Sequence, residues 1–230
     1  MLNQLKIDLL KLKNPKKAKL LQGFFKTKRG EYGEGDVFLG ISVPELRKIA
    51  KKYYGLDLKQ LKELIQSKIH EHRMIALFIL THKYKTTNHK KIICHFYLKN
   101  TKNINNWDLI DLSAPKILGE HLLDKDRKIL YQLANSENIW EKRIAILSTF
   151  AFIKNNQFND SLKIAKILLK DKHDLIHKAV GWMLREIGKR NQDIEENFLN
   201  KYHKTMPRTM LRYAIEKFPE KERRHYLGKP

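Results

Sequence analysis

The sequence predicts an all-α fold, a HEAT-like α-solenoid of about six helix pairs with a concave basic groove. Three observations carry this. Apolar residues recur at helical spacing along almost the whole chain. A β-branched/small pair returns about every 35 residues. Basic residues far outnumber acidic ones, 47 against 25, for a net charge of +22. The 230 residues are enough for a substantial core, and 1–230 reads as a single repeat domain.

Taken in order, the chain opens with "MLNQLKIDLLKLKNPKKAKLL", which has neither an unbroken apolar core nor a small-residue cleavage site. It does not read as a signal peptide, and the protein is expected in the cytoplasm. Residues 1–30 hold nine basic side chains against one acidic, Asp8. A basic flank of a nucleic-acid groove accounts for this with fewer assumptions than a membrane-surface helix. No apolar run approaches the roughly 18 residues that span a bilayer, so no membrane partner is expected. Next comes "GEYGEGDVFLGISVP", whose four glycines mark a loop. Ser42-Val43-Pro44 then opens a helix, with Ser as N-cap and Pro in the first turn.

From there the helical segments follow one another: "LRKIAKKYY", "LKQLKELIQ", "RMIALFILTHKY", "RIAILSTFAFI", "SLKIAKILL" and "KAVGWMLREIG". Short polar joints separate them, among them "GLD", "LDKD" and "LKDKHD". The last two are read as holding N-cap aspartates.

Aligning "HRMIALF", "WDLIDLS", "EKRIAIL" and "HKAVGWM" exposes the repeat. Ile75, Ile110, Ile144 and Val180 share one slot. The next slot holds Ala76, Asp111, Ala145 and Gly181, at intervals of 35, 34 and 36. A small residue suits a close helix contact, so Asp111 stands out. Either it lines the groove, or it is buried and tied to an Arg or a helix end. Trp107, four residues earlier and on the same helix face, falls in a column with His72, Glu141 and His177. All three are polar, so the indole is expected in the groove rather than the core. Asp108 lies on a neighbouring strip. Trp182 falls beside Leu77, Leu112 and Ile146, where core packing is the plainer reading. Arg143 shares a column with Met74, Leu109 and Ala179.

Other constellations carry less. His173 and His177 are four apart, but only Asp174 is nearby as a third ligand, so no metal is expected. The two His of "HEH" at 70–72 point to different helix faces. "GEYGEGD" lacks the features of a phosphate-cradling loop, and no nucleophile elbow appears. Cys94, alone in "IICHFYL", reads as a core thiol and rules out disulfides within the chain. Arg208 and Arg212, one helical turn apart after Pro207, suit phosphate contact.

With these residues assembled, the chain resembles the DNA-alkylation-repair glycosylases of the AlkD family, nearly end to end. The resemblance rests on "NPKKA" at 14–18, "FLGISVPELRK" at 38–48, "NNWDLID" at 105–111, "SENIWEKRIAIL" at 136–147 and "IHKAVGWMLRE" at 176–186. It implies a HEAT-like solenoid that excises cationic alkylated purines, chiefly N3-methyladenine and N7-methylguanine, from duplex DNA without a cofactor. It implies a monomer. The family's catalytic Asp matches Asp111, its two flanking tryptophans match Trp107 and Trp182, and its Arg beside the lesion backbone matches Arg143. The basic segments extend the expected DNA contacts to Lys178, Arg185, Arg208 and Arg212. Where the family's N-terminal helix carries Tyr, this chain has Phe24, expected to face DNA. The segment from Lys26 to Asp36 is also longer and rich in Gly.

The implied chemistry suits so sparse a site. A cationic purine leaves as a neutral base, so no general acid is required. A carboxylate then stabilises the oxocarbenium-like sugar and orients water, while indole faces add cation–π attraction. The alternative is a HEAT-repeat protein that binds nucleic acid and retains the site without catalysis. A protein-binding scaffold, whose charge serves only solubility, is the third reading.

Overall fold

The computed structural model describes residues 1–228. Among them the regular structure is helical, and the sole β feature is an isolated parallel bridge between Val37 and Ile69. Backbone contacts divide the chain into two compact units, Met1–Ser113 and Ala114–Pro230.

The first unit contains α1 (Leu2–Lys11), α2 (Pro15–Phe24), α3 (Val43–Lys52), α4 (Leu58–Ile65), α5 (His70–Thr86), α6 (Lys90–Lys99) and α7 (Trp107–Ala114). Helix α5 is buried on every face because α3, α4 and α6 pack around it. Its central run, residues 74–80, is apolar on every side and is stable only when covered this way. Asn14 caps α2 through the Lys17 N–H at 3.0 Å, and Pro15 supplies a preset first turn. At α3, Glu45 reaches back to accept from the Ser42 N–H at 3.1 Å and its hydroxyl at 2.5 Å. The "NPKKA" and "FLGIS" stretches meet directly. Asn14 N–H donates to Leu39 O at 2.8 Å, and Gly40, at φ +84°, lies so near Asn14 that a Cβ would come within 2.3 Å of its carbonyl. Only glycine tolerates both demands.

Within the second unit, a π-helical turn (Pro115–Gly119) precedes α8 (Lys128–Ala134), α9 (Ile139–Lys154), α10 (Asn159–Ile167), α11 (Asp174–Gly188), α12 (Gln192–Tyr202), α13 (Arg208–Ala214) and α14 (Glu220–Leu227). Pro115 has no N–H for the carbonyl four residues back, and the wider turn accommodates it. Helix α9 packs on α8, α10, α11 and the π turn, and α11 packs in turn on α12 and α13.

The repeat slots behave as predicted. Ile75, Ile110, Ile144 and Val180 are fully buried, as are Ala76 and Ala145. Cys94 is a buried thiol. The capping assignments need correction. Asp57 of "GLD" caps α4, accepting from the Gln60 N–H at 2.8 Å. In "LKDKHD" the cap of α11 is His173, whose Nδ1 accepts from the Leu175 N–H, because Asp171 is engaged with the His173 N–H. In "LDKD", Asp126 accepts from the Lys128 N–H, but the N-cap of α8 is Arg127.

Candidate functional site

The first turn of α7 carries Trp107 and Asp108, with Asp111 one turn on. Asn106, fully buried, starts the helix by accepting from the Trp107 N–H at 2.8 Å. Trp107 is half-buried, contrary to an indole standing out from a polar column. Its ring stacks on Phe25 at 5.2 Å and meets Phe24 edge-on at 6.0 Å. Phe25 stacks in turn on Phe38 at 5.0 Å. These aromatics, with Ala18 and Leu21, form a small core beneath the indole. Phe24 itself remains 64% exposed.

Behind this aromatic layer lies a charge network. His70, the first residue of α5, places Nε2 at 2.8 Å from Asp108 Oδ2 and Nδ1 at 3.4 Å from Asp36 Oδ2. Arg73 binds Asp36 at 2.6 Å and donates to Ser67 O at 2.7 Å. Asn106 Nδ2 lies 3.5 Å from the same Asp36 oxygen. The His70 ring is stacked on Phe38 at 4.6 Å. Burial alone would lower the His70 pKa, but hydrogen bonds to Asp108 and Asp36 outweigh it and hold the pKa above 6.5. For Asp36, burial opposes ionisation, yet His70 and Arg73 keep its carboxyl below the ordinary range.

The rest of "HEH" is structural. Glu71 accepts from the Leu39, Gly40 and Ile41 N–H groups at 2.9, 2.8 and 3.3 Å, which pins the loop to α5. His72, paired with Ser67 Oγ at 3.0 Å, is pushed by burial to a pKa of about 4 and stays neutral at pH 7.

Asp111 is half-buried at the slot where Ala76 and Ala145 are sealed. Its charge contributes to the raised pKa of Tyr97, behind the dominant effect of that phenol's complete burial. Tyr97 and Ser113 are hydrogen-bonded at 3.0 Å, and Ser113 also donates to Leu109 O, which anchors this face of α7.

The second unit carries the remaining predicted residues. Trp182 is half-buried, tilted against Phe150 at 5.9 Å, with its Nε1 donating to Glu186 at 3.2 Å. Arg143 is buried at 5% exposure and donates to Leu175 O at 2.6 Å. Lys178 pairs with Asp174 at 2.7 Å, and Arg185 pairs with Glu216. Arg208 and Arg212 are exposed one turn apart on α13, Arg208 donating to Leu227 O at 2.9 Å. His177 bonds Asp171 O at 2.6 Å, so it and the capping His173 both serve the backbone locally. No group of three or more candidate metal ligands occurs among the described residues.

Sequence reasoning passed over His70, Asp36, Arg73, Phe25 and Phe38. The signal for them was faint: an Asp closing a Gly-rich loop, and a "HEHR" run opening a helix.

Comparison with known proteins bears on this arrangement. A predicted DNA alkylation repair enzyme from Enterococcus faecalis has a similar structure, with a TM-score of 0.68 at 18% identity, covering 90% of this chain and 97% of that one. AlkD2 from Streptococcus mutans is similar with a TM-score of 0.59 at 19% identity, covering 88% and 97%. At such identities the likeness speaks for the fold, and it is the HEAT-like helical class that the repeat predicted. No curated protein matches the chain. The profile of one family, described as DNA alkylation repair enzyme, spans residues 5–218 and so covers most of both units, including Phe24, Trp107, Asp111, Arg143, Trp182 and Arg212. The chain belongs to the DNA alkylation repair enzyme family.

Proposed function

We propose that the protein is a DNA glycosylase that hydrolyses the N-glycosidic bond of cationic alkylated purines, N3-methyladenine and N7-methylguanine, in duplex DNA. It acts as a monomer and needs no cofactor. The observation that carries this reading is Asp111. A carboxylate replaces the small residue of its sister repeats, keeps partial access to solvent, and sits one turn from a tryptophan held by an aromatic stack.

Protein positive charge attracts the duplex through its phosphates. A cationic purine departs without protonation, and positive charge develops on the sugar. Asp111 stabilises that charge and orients the attacking water, and the Trp107 indole face adds cation–π attraction. The resemblance assigns Trp182 a second indole face and Arg143 a place beside the lesion backbone, and the basic segments add Lys178, Arg185, Arg208 and Arg212 as phosphate contacts, with Phe24 at the DNA surface.

The decisive assay is mass-spectrometric detection of free methylated base after incubation with methylated duplex. Free N7-methylguanine is expected. Salt-sensitive DNA binding with no base released would instead favour a binding protein that retains the site, a reading to which Phe24, lacking the family's hydroxyl, lends weight.

A further inference from the structure

The start of α7 is held by more charge than the proposed chemistry uses. Asp108 comes from α7, Asp36 from the Gly-rich loop, and His70 and Arg73 from α5. These are the charged groups that meet the His70 ring, whose other neighbours are Phe38 and Phe25. Glu71 on the same helix is turned to the loop backbone.

Two features fix the charge state. Both His70 nitrogens address carboxylates on different segments, and a neutral imidazole has only one N–H to give. Arg73 Nη2 is 3.5 Å from Nδ1, but its short contact, at 2.6 Å, is with Asp36. Two carboxylates with one guanidinium would leave a buried negative charge, which an imidazolium cancels.

We propose that His70, as an imidazolium bridging Asp36 and Asp108, is a positioning residue that sets the first turn of α7 and with it Trp107 and Asp111. For the role of those two residues this rests on the glycosylase reading. His70 touches neither substrate nor reacting atoms. Its part is to latch the Gly-rich loop to the helix that carries the chemistry. Its raised pKa agrees with the latch being closed at neutral pH and opening as pH rises.

The test compares two substitutions with one measurement of excision and one of conformation. His70→Gln places an amide donor near the Nε2 position and retains the Asp108 contact. His70→Asn places one near Nδ1 and gives that contact up. Single-turnover release of N7-methylguanine should fall by about tenfold for H70Q, which keeps the Asp108 contact but loses the charge and the Asp36 contact. For H70N it should fall by about a hundredfold, the cost of a small misplacement of reacting groups, with DNA affinity unchanged. Equal rates for the two variants, whatever their melting temperatures, would overturn the proposal.

The second readout needs no activity. In fluorotryptophan-labelled full-length protein, the Trp107 fluorine resonance should titrate in wild type with a midpoint above 6.5 and should not titrate in H70N. A resonance indifferent to pH across that range in wild type overturns the latch. If wild type releases no base, the glycosylase reading fails, while this titration still decides the latch. Should H70N not fold, Asp108→Asn, which leaves the imidazole in place, is expected to show the same loss of rate and of the Trp107 titration.

Discussion

Asp111 and Gly181 occupy the same place in the repeat and meet opposite surroundings. At Gly181, α13 comes so close that a Cβ would lie 2.4 Å from Met210 O and 2.5 Å from the Tyr213 Cβ. The slot there is a helix contact and admits nothing larger than hydrogen. On α7 the same slot holds a carboxylate that is only half-buried. A repeat position whose ordinary task is packing has, in one copy, been released from packing. That partial exposure, more than the acidity of the residue, is what the proposed role of Asp111 rests on.

The largest effect should come from removing the contrast at its packed end. Gly181→Leu forces side-chain atoms into the α13 backbone, and the second unit should not fold. A helical far-UV spectrum with a cooperative melt near that of wild type would show that the contact is looser than described. The next effect concerns substrate charge. In the proposed chemistry Asp111 stabilises a sugar cation but protonates nothing, so neutral hypoxanthine should leave at least about a hundredfold more slowly than N7-methylguanine, the usual worth of a missing general acid. Comparable rates would mean that an acid is present.

A third effect tests what a buried carboxylate costs when nothing uses it. Glu195 on α12 is almost wholly buried and its Oε1 accepts no hydrogen bond. Burial, reinforced by Glu196 and opposed by Arg185, pushes its pKa from 4.5 up to about 9. Folded protein keeps the proton that the unfolded chain releases, so stability falls as pH rises between these two values and levels off above them. Glu195→Gln should remove that slope and gain on the order of a few kcal/mol at pH 9. Parallel pH–stability curves for the two proteins would contradict it. The smallest effect is at the surface. Replacing both Arg208 and Arg212 with Ala should weaken duplex binding several-fold and reduce the log–log salt slope by about 2, one per lost phosphate contact. An unchanged slope would remove them from the interface.

How much of this was legible in the sequence differs between fold and site. The β-branched/small pair exposed the repeat because every helix that packs on two neighbours needs both a branched filler and a close-approach residue. Asp111 stood out against that regularity. The network around His70 was not legible, since its partners lie 34 and 38 residues away and their pairing exists only once the Gly-rich loop has folded back on α5. The columns misled at Trp107. Its polar counterparts His72 and His177 are turned to Ser67 and to the Asp171 carbonyl, whereas the indole found Phe25 from another segment. Caps failed similarly, because several polar residues in one joint compete for the same N–H groups and local sequence does not rank them.

The most direct test of the account is Asp111→Asn, which keeps the side chain's size and removes its charge. Single-turnover release of N7-methylguanine should fall on the order of a hundredfold, as when one electrostatic stabiliser is lost. Melting temperature should hold or rise slightly, and DNA affinity should hold or improve. A wild-type rate in a less stable protein would show instead that Asp111 serves the fold and would end its catalytic assignment.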